Sequence, residues 1–281
     1  MIKNSVRYEA SLNLIAPDEL DHLGRGLNVL ICSDYKFQYN WMTFAAWYSV
    51  AKSLPSATVG ITAARTSDLD RFLFTWAYKV PVKYFMHKNI GEANKLPYLN
   101  KLYGVYVALK EGVLTQPLLV MDADMMVVST LSASAVRTMK EVQFASSVCP
   151  YQTSFNGNPV GPAWYFNNTP LEKIEEAIDS LKSCQDNNHL DLQALAKVFW
   201  NREVIEDLCG DATQDGITTI AHYPDKCGKF TKKEWEKGKV LPPFNVCGAL
   251  SDFGMTANEK KILTLWSQMG NLYNSLTKVK S

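Results

Sequence analysis

The chain has 281 residues, 47% hydrophobic and 20% charged, which is enough for one large α/β domain with a sizeable buried core. Its 29 Lys and Arg offset 28 Asp and Glu to a formal net charge of +1, so no overall field draws it to nucleic acid or an anionic membrane, and an anionic ligand must be gripped locally. Six scattered cysteines with no Cys-x-x-Cys pair exclude a zinc ribbon or a small disulfide-stapled scaffold and suit free thiols in a reducing compartment.

Residues 1–25 show no sustained periodicity and lack the apolar core of a signal peptide, so they are expected to form an amino-terminal arm. No stretch approaches the roughly 18 apolar residues that span a bilayer, and the expected location is cytoplasmic. The first strand is Leu27 to Cys32, apolar on both faces as a strand covered by helices on two sides must be. A helical pattern follows from Trp41 to Leu54, then a short apolar run from Thr58 to Thr62. Next come a helix opened by Ser67 and a strand around Val82 to Phe85. This alternation predicts a βαβαβ start to a doubly wound domain.

A helix is expected over Leu99 to Gly112, followed by a strand from Pro117 to Met121 that ends on Asp122, Ala123 and Asp124 before the apolar run resumes as MMVV. Gly and Pro concentrate between Pro150 and Pro162, a loop over the sheet edge. Later come a strand near Ala163 to Phe166, helices over Leu171 to Cys184 and Leu190 to Val198, and a strand from Ile217 to Ala221. A final helix, Asn258 to Leu276, carries Ile262, Leu263, Trp266, Met269, Leu272 and Tyr273 at helical spacing and is expected to pack on its own domain.

Asp-x-Asp alone is not distinctive, because Asp68 and Asp70 repeat it after Thr66 and Ser67, where acids at a helix start suit the macrodipole. Asp122 and Asp124 differ in interrupting an apolar strand, where carboxylates are costly unless they face a cation or a ligand. Ligands bind at the carboxyl ends of strands in open α/β sheets. An extended chain would send both side chains to one side, with Ala123 opposite, so that their oxygens converge on one hard cation.

In this context LLVMDADMMVV resembles the metal motif of the GT-A glycosyltransferases, in particular family 8, the glycogenin-like and lipopolysaccharide galactosyltransferase-like group. The resemblance implies a Rossmann-like nucleotide-diphospho-sugar transferase fold over residues 1–281, with a central mixed, mostly parallel sheet flanked by helices. ICSDYKFQYN is similar to that group's first strand and uracil-binding turn, which implies that Asp34 and Tyr35, or Tyr39, lie beside the base. NKLYGVYVALKEG resembles the basic helix before the metal strand and implies a donor contact for Lys101, with Lys95 as the alternative. GITTIAHYPDKCGKF resembles the late His-x-x-Gly-x-x-Lys segment and implies His222 as third metal ligand and Lys229 at the diphosphate, although Asp225 and Gly228 depart from the pattern. AWYFNNTP resembles the Phe-Asn-x-Gly strand, placing Asn167 near the sugars, and HLDLQALAKVF resembles the Asp-Gln-x-x-Leu segment, implying catalytic roles for Asp191 and Gln193.

The implied reaction moves a hexose from a nucleoside diphosphate sugar, UDP-glucose or UDP-galactose first, to a hydroxyl of an unidentified glycan, protein or small molecule. Retention of configuration is implied, with Mn²⁺ or Mg²⁺ as cofactor; the imidazole biases the choice toward manganese. Two rivals are a sugar-phosphate nucleotidyltransferase and a non-catalytic sugar-nucleotide-binding pseudoenzyme. Against the first, CSDYKFQYN lacks the Gly-rich loop that cradles a triphosphate. A homo-oligomer is compatible with the sequence.

Overall fold

The computed structural model describes residues 26–33, 37–65, 74–147, 160–183, 190–206, 208–211, 220–222, 226–227, 230–231 and 256–277. The central sheet has seven strands in the order β3-β2-β1-β4-β7-β6-β8. These are β1 (Asn28–Ser33), β2 (Thr58–Arg65), β3 (Lys83–Lys88), β4 (Leu118–Asp122), β6 (Phe144–Ser147), β7 (Trp164–Phe166) and β8 (Glu203–Ile205). Only β7 runs against the rest: it pairs antiparallel with β4 and β6, while the other neighbours pair parallel. The sheet is therefore mixed and mostly parallel, as expected.

Strand alternation feeds two cores. Val29 and Ile31 of β1 and Leu119 and Met121 of β4 join one buried cluster; Leu30 of β1 and Leu118 and Val120 of β4 join the other. The first core is covered by α1 (Phe37–Ser53) and α7 (Ala257–Thr277), which contribute Phe44, Trp47, Ile262, Met269 and Tyr273. The second is covered by α3 (Leu99–Lys110), α5 (Leu171–Lys182) and α6 (Leu190–Val198), through Leu99, Leu102, Ile178, Leu192 and Leu195. A short helix α2 (Ile90–Asn94) precedes α3, and α4 (Ala133–Glu141) adds Ala135, Val136 and Met139 to the first core. Final-helix packing is as expected: Ile262, Met269 and Tyr273 are buried, Leu272 is exposed, and the side chains of Leu263 and Trp266 lie outside the described atoms.

One expectation needs correction. The apolar run does not resume in the same strand after Asp122: Ala123 and Asp124 form a turn, and β5 (Met125–Val127) belongs to a separate three-stranded sheet with β10 (Ile220–His222) and β9 (Cys209–Asp211). The strand-alternation argument for the two carboxylates thus stops at Asp122, because the backbone leaves the sheet there. Of the strand expected over Ile217 to Ala221, Ile220 and Ala221 lie in β10, and residues 217–219 lie outside the described residues. A hairpin of β11 (Lys226–Cys227) and β12 (Phe230–Thr231) completes the described strands. The helix expected at Ser67, with Asp68 and Asp70, and most of the loop from Pro150 to Pro162 lie outside the described residues.

Among the described residues, no helix is long and apolar enough to cross a membrane. Cys32 and Cys209 form no disulfide among the described residues.

Candidate functional site

The chain leaves β1 toward β2 on one side and returns as β4 on the other, so the β1/β4 boundary is the topological switch point, beyond whose carboxyl ends open α/β sheets bind ligands. Cys32 of β1 is the register partner of Asp122 of β4, and the Ala123 N–H donates to the Cys32 carbonyl at 3.1 Å, carrying the ladder one step further. Alternation puts Asp122 on the same face as Leu118 and Val120, under α3. There the Lys101 ammonium lies 2.9 Å from Asp122 Oδ1. It also donates to the Pro162 carbonyl at 2.8 Å and sits 3.9 Å from the centre of the Trp164 ring.

Asp191 joins the cluster from the first turn of α6. Its side chain is buried, and backbone N–H groups of Leu192 and of Asp191 itself donate to the carboxylate. Burial pushes this carboxyl up to about 6, with Lys101 opposing the rise and Asp122 adding to it. Burial alone would lower the Lys101 ammonium, but the charge of Asp122 foremost, then that of Asp191, reverses the sign and holds it above its ordinary value. Burial raises the Cys32 thiol, with Lys101 opposing, so it is a neutral wall. The site therefore holds one fixed cation between two acids of different character: Asp122 a third exposed, and Asp191 buried.

The residues singled out from sequence fall into three groups. Lys101, Asp122 and Asp191 come together as described. Lys95 does not take the place of Lys101: it is exposed and caps α2 in a left-handed conformation at φ 57°. Gln193 stands two residues after Asp191, about 200° around the helix at 3.6 residues per turn, so the two side chains leave α6 in nearly opposite directions. Asn167 is at the wrong end of the sheet for the site. Because β7 is antiparallel, Phe166 pairs with Leu118 at the start of β4, and the Asn167 amide donates to the Met139 carbonyl at 3.2 Å. Asp34, Tyr35 and Lys229 lie outside the described residues, as does the side chain of Tyr39.

For a divalent cation the described donors are the carboxylates of Asp122 and Asp124. Among the described residues no group of three His, Cys, Asp or Glu side chains is close enough to hold a metal. The third donor expected from sequence is His222, whose backbone is the register partner of Met125 in β5, next to Asp124 in the chain; its side chain is not among the described atoms. Carboxylates supply the hard oxygen donors, and an imidazole the borderline nitrogen, that a cation such as Mn²⁺ takes. Sequence reasoning missed the Pro162 carbonyl, the Trp164 ring and the Cys32 thiol. A backbone carbonyl carries no residue signature, and only the fold places that indole over an ammonium.

No protein-family model and no curated protein sequence matches the chain. Solved structures do. The galactosyltransferase LgtC, in complex with donor and acceptor sugar analogs, superposes with a TM-score of 0.51 at 12% identity, covering 90% of this chain and 98% of LgtC. The apo form of the glycosyltransferase GlyE of Streptococcus pneumoniae TIGR4 gives 0.50 at 13% identity, and the bifunctional WbbM gives 0.50 at 11%. Both cover 86% of this chain, which spans only 63% of GlyE and 52% of WbbM. At such identities the likeness is one of fold, and it agrees with the strand order and the switch-point site: the chain has the GT-A glycosyltransferase fold.

Proposed function

We propose that the protein is a metal-dependent glycosyltransferase that moves a hexose from a UDP-sugar to an acceptor hydroxyl with retention of configuration. The observation that carries this reading is the Lys101–Asp122 pair at the carboxyl end of β4, with buried Asp191 beside it, at the switch point of a GT-A fold. Asp122 and Asp124, with His222 as third donor, would hold the cation. Bound there, Mn²⁺ or Mg²⁺ would supply charge to stabilise the departing diphosphate. Asp34 and Tyr35 follow β1 directly and are assigned to the nucleoside, and Lys229 to the diphosphate.

Asp191 is assigned to the reacting sugar, because a carboxyl held near 6 can carry or release a proton close to neutral pH. Gln193 is kept as a polar contact from the same helix, while Asn167, which follows β7 at the end of the strands away from Asp122, is not assigned to the donor. The absence of a disulfide at Cys32 and Cys209 among the described residues accords with a cytoplasmic setting. The acceptor class is set by loops that vary independently of the fold.

The test is a thermal-shift panel of UDP-, GDP- and dTDP-sugars with and without Mn²⁺. A UDP-sugar with Mn²⁺ should raise the melting temperature, since a ligand at 100 times its Kd adds about 2.7 kcal/mol. Metal-dependent hydrolysis of the donor should then disappear in Asp124→Asn. Stabilisation by none of the nucleotides in the presence of metal would sink the reading, and release of pyrophosphate from UTP and a sugar phosphate would replace it with the nucleotidyltransferase.

A further inference from the structure

A lysine ammonium has three N–H donors on a flexible stem, and a lysine that grips a phosphate needs at least one of them free to turn outward. At Lys101 two are taken, by Asp122 Oδ1 at 2.9 Å and by the Pro162 carbonyl at 2.8 Å, and the indole face of Trp164 lies against the ammonium at 3.9 Å. Only a tenth of the side chain is exposed.

The groups that hold it are themselves pinned. The Gly161 N–H donates to the Ser147 carbonyl at 2.9 Å, the Ser147 N–H donates to the Ala163 carbonyl at 2.9 Å, and the Ala163 N–H donates to Ser147 Oγ at 3.2 Å. The buried Trp164 ring is locked by its own N–H, which donates to the Gly161 carbonyl at 2.9 Å. Only glycine fits at 161, because a Cβ there would fall 2.1 Å from the Ser147 carbonyl oxygen. The corner from Gly161 to Trp164 is thus a rigid clamp presenting a carbonyl and a π face to one ammonium.

From this geometry we propose that Lys101 is a positioning residue: clamped by Pro162 and Trp164, it fixes the Asp122 carboxylate and does not itself touch the donor's diphosphate. This rests on the glycosyltransferase reading of the same site and departs from the direct donor contact that the sequence resemblance implies. A fixed outer partner of a ligating carboxylate sets its orientation, so its loss should appear in turnover rather than in nucleotide binding.

The experiment combines ¹H–¹⁵N spectra of the lysine ammonium groups with calorimetry, using UDP with and without Mn²⁺ as the probe. In the free protein one ammonium signal should be protected from exchange, vanish in Lys101→Met and shift in Trp164→Phe. Added UDP should leave it in place. UDP should bind Lys101→Met within about twofold of wild type, where a lost ammonium–phosphate contact would cost about tenfold or more. In donor hydrolysis kcat should fall by about tenfold or more with KM held, and less in Trp164→Phe.

Absence of a protected signal, movement of that signal on adding UDP, or a raised KM with unchanged kcat would each overturn the proposal. The spectra of wild type need no variant to fold. If UDP fails to bind wild type at all, the functional reading falls and the positioning role with it, a result told apart from failure of the clamp by the signal of the free protein.

Discussion

Asp122 and Asp191 are acids beside the same ammonium, and their environments give them opposite effects on stability. Burial raises the Asp191 carboxyl from 3.8 to about 6. A carboxyl raised in the folded state binds more protons there than in the unfolded chain, so its contribution is fully present below pH 3.8 and is lost as pH rises through about 6. At 1.36 kcal/mol per unit, the ionised group costs about 3 kcal/mol at neutral pH. Asp191→Asn should therefore stabilise the metal-free protein at neutral pH by about 1–3 kcal/mol, the gain shrinking as pH falls toward 4, while turnover drops at least about 100-fold. Urea unfolding across that pH range, alongside donor hydrolysis, checks both halves. A stability difference that does not change with pH would show that the buried carboxyl is not the source.

Asp122→Ala should do the reverse, because it removes the carboxylate that pairs with the clamped Lys101 ammonium and leaves only Asp191 to offset its charge. The expected loss is about 1–3 kcal/mol, below the range for a fully buried pair, since the Asp122 side chain is a third exposed. Chemical denaturation measures it. A variant as stable as wild type would mean that the Pro162 carbonyl and Trp164 ring suffice to hold the charge.

At the level of elements, α3 delivers Lys101 to the site, and its distance from the sheet depends on Gly104 one turn later. A Cβ at 104 would sit 2.9 Å from Thr62 Cγ2 and 3.2 Å from His87 Nε2, on β2 and β3. Neither neighbour is free to move far: Thr62 and His87 are buried, and His87 Nδ1 is bonded to the Lys88 carbonyl at 2.9 Å. Gly104→Ala should cost about 1–3 kcal/mol and lower the melting temperature, and the shift of α3 should reduce donor hydrolysis even where the variant is fully folded.

The same elements show what the sequence could reveal. β1 and β4 were legible because both faces of each are buried, so their runs are apolar throughout; α6 and α7 were legible from their periodicity. β6 was not, because its FASS hides two serines in the core, and α4 was not, because its buried Ala135, Val136 and Met139 mark one face of a segment only nine residues long. Nothing local tells that β7 runs antiparallel, and that single reversal moves Asn167 from the site end of the strands to the opposite end. Asp122 could be found because an acid at the end of an apolar strand demands a reason. Its clamp could not, being built from a carbonyl and a ring face.

Across the whole molecule the sheet separates stability from chemistry. One face carries Leu30, Val120, Trp164 and the helix bearing Lys101; the other carries the aromatic cluster of α1 and α7. In that cluster Phe44 meets Trp76 edge-on at 4.8 Å and Tyr273 at 5.0 Å, and the Trp76 indole donates to Asn40 Oδ1 at 2.7 Å. Lys79 also ties the 3-10 turn Thr75–Lys79 to the end of α7 through the Leu276 carbonyl. Tyr273→Ala removes a ring that is only 7% exposed and should cost about 3–5 kcal/mol, by analogy with other large aromatic truncations. Because the loss is on the face away from Lys101 and Asp122, kcat per folded molecule should hold at temperatures well below the lowered melting point. Trp164→Phe, a smaller change on the other face, should lower kcat while costing less stability. Comparing the two variants by thermal melts and donor hydrolysis tests this division directly: if Tyr273→Ala slows turnover as much as Trp164→Phe, the two faces are mechanically coupled through the sheet and the separation fails.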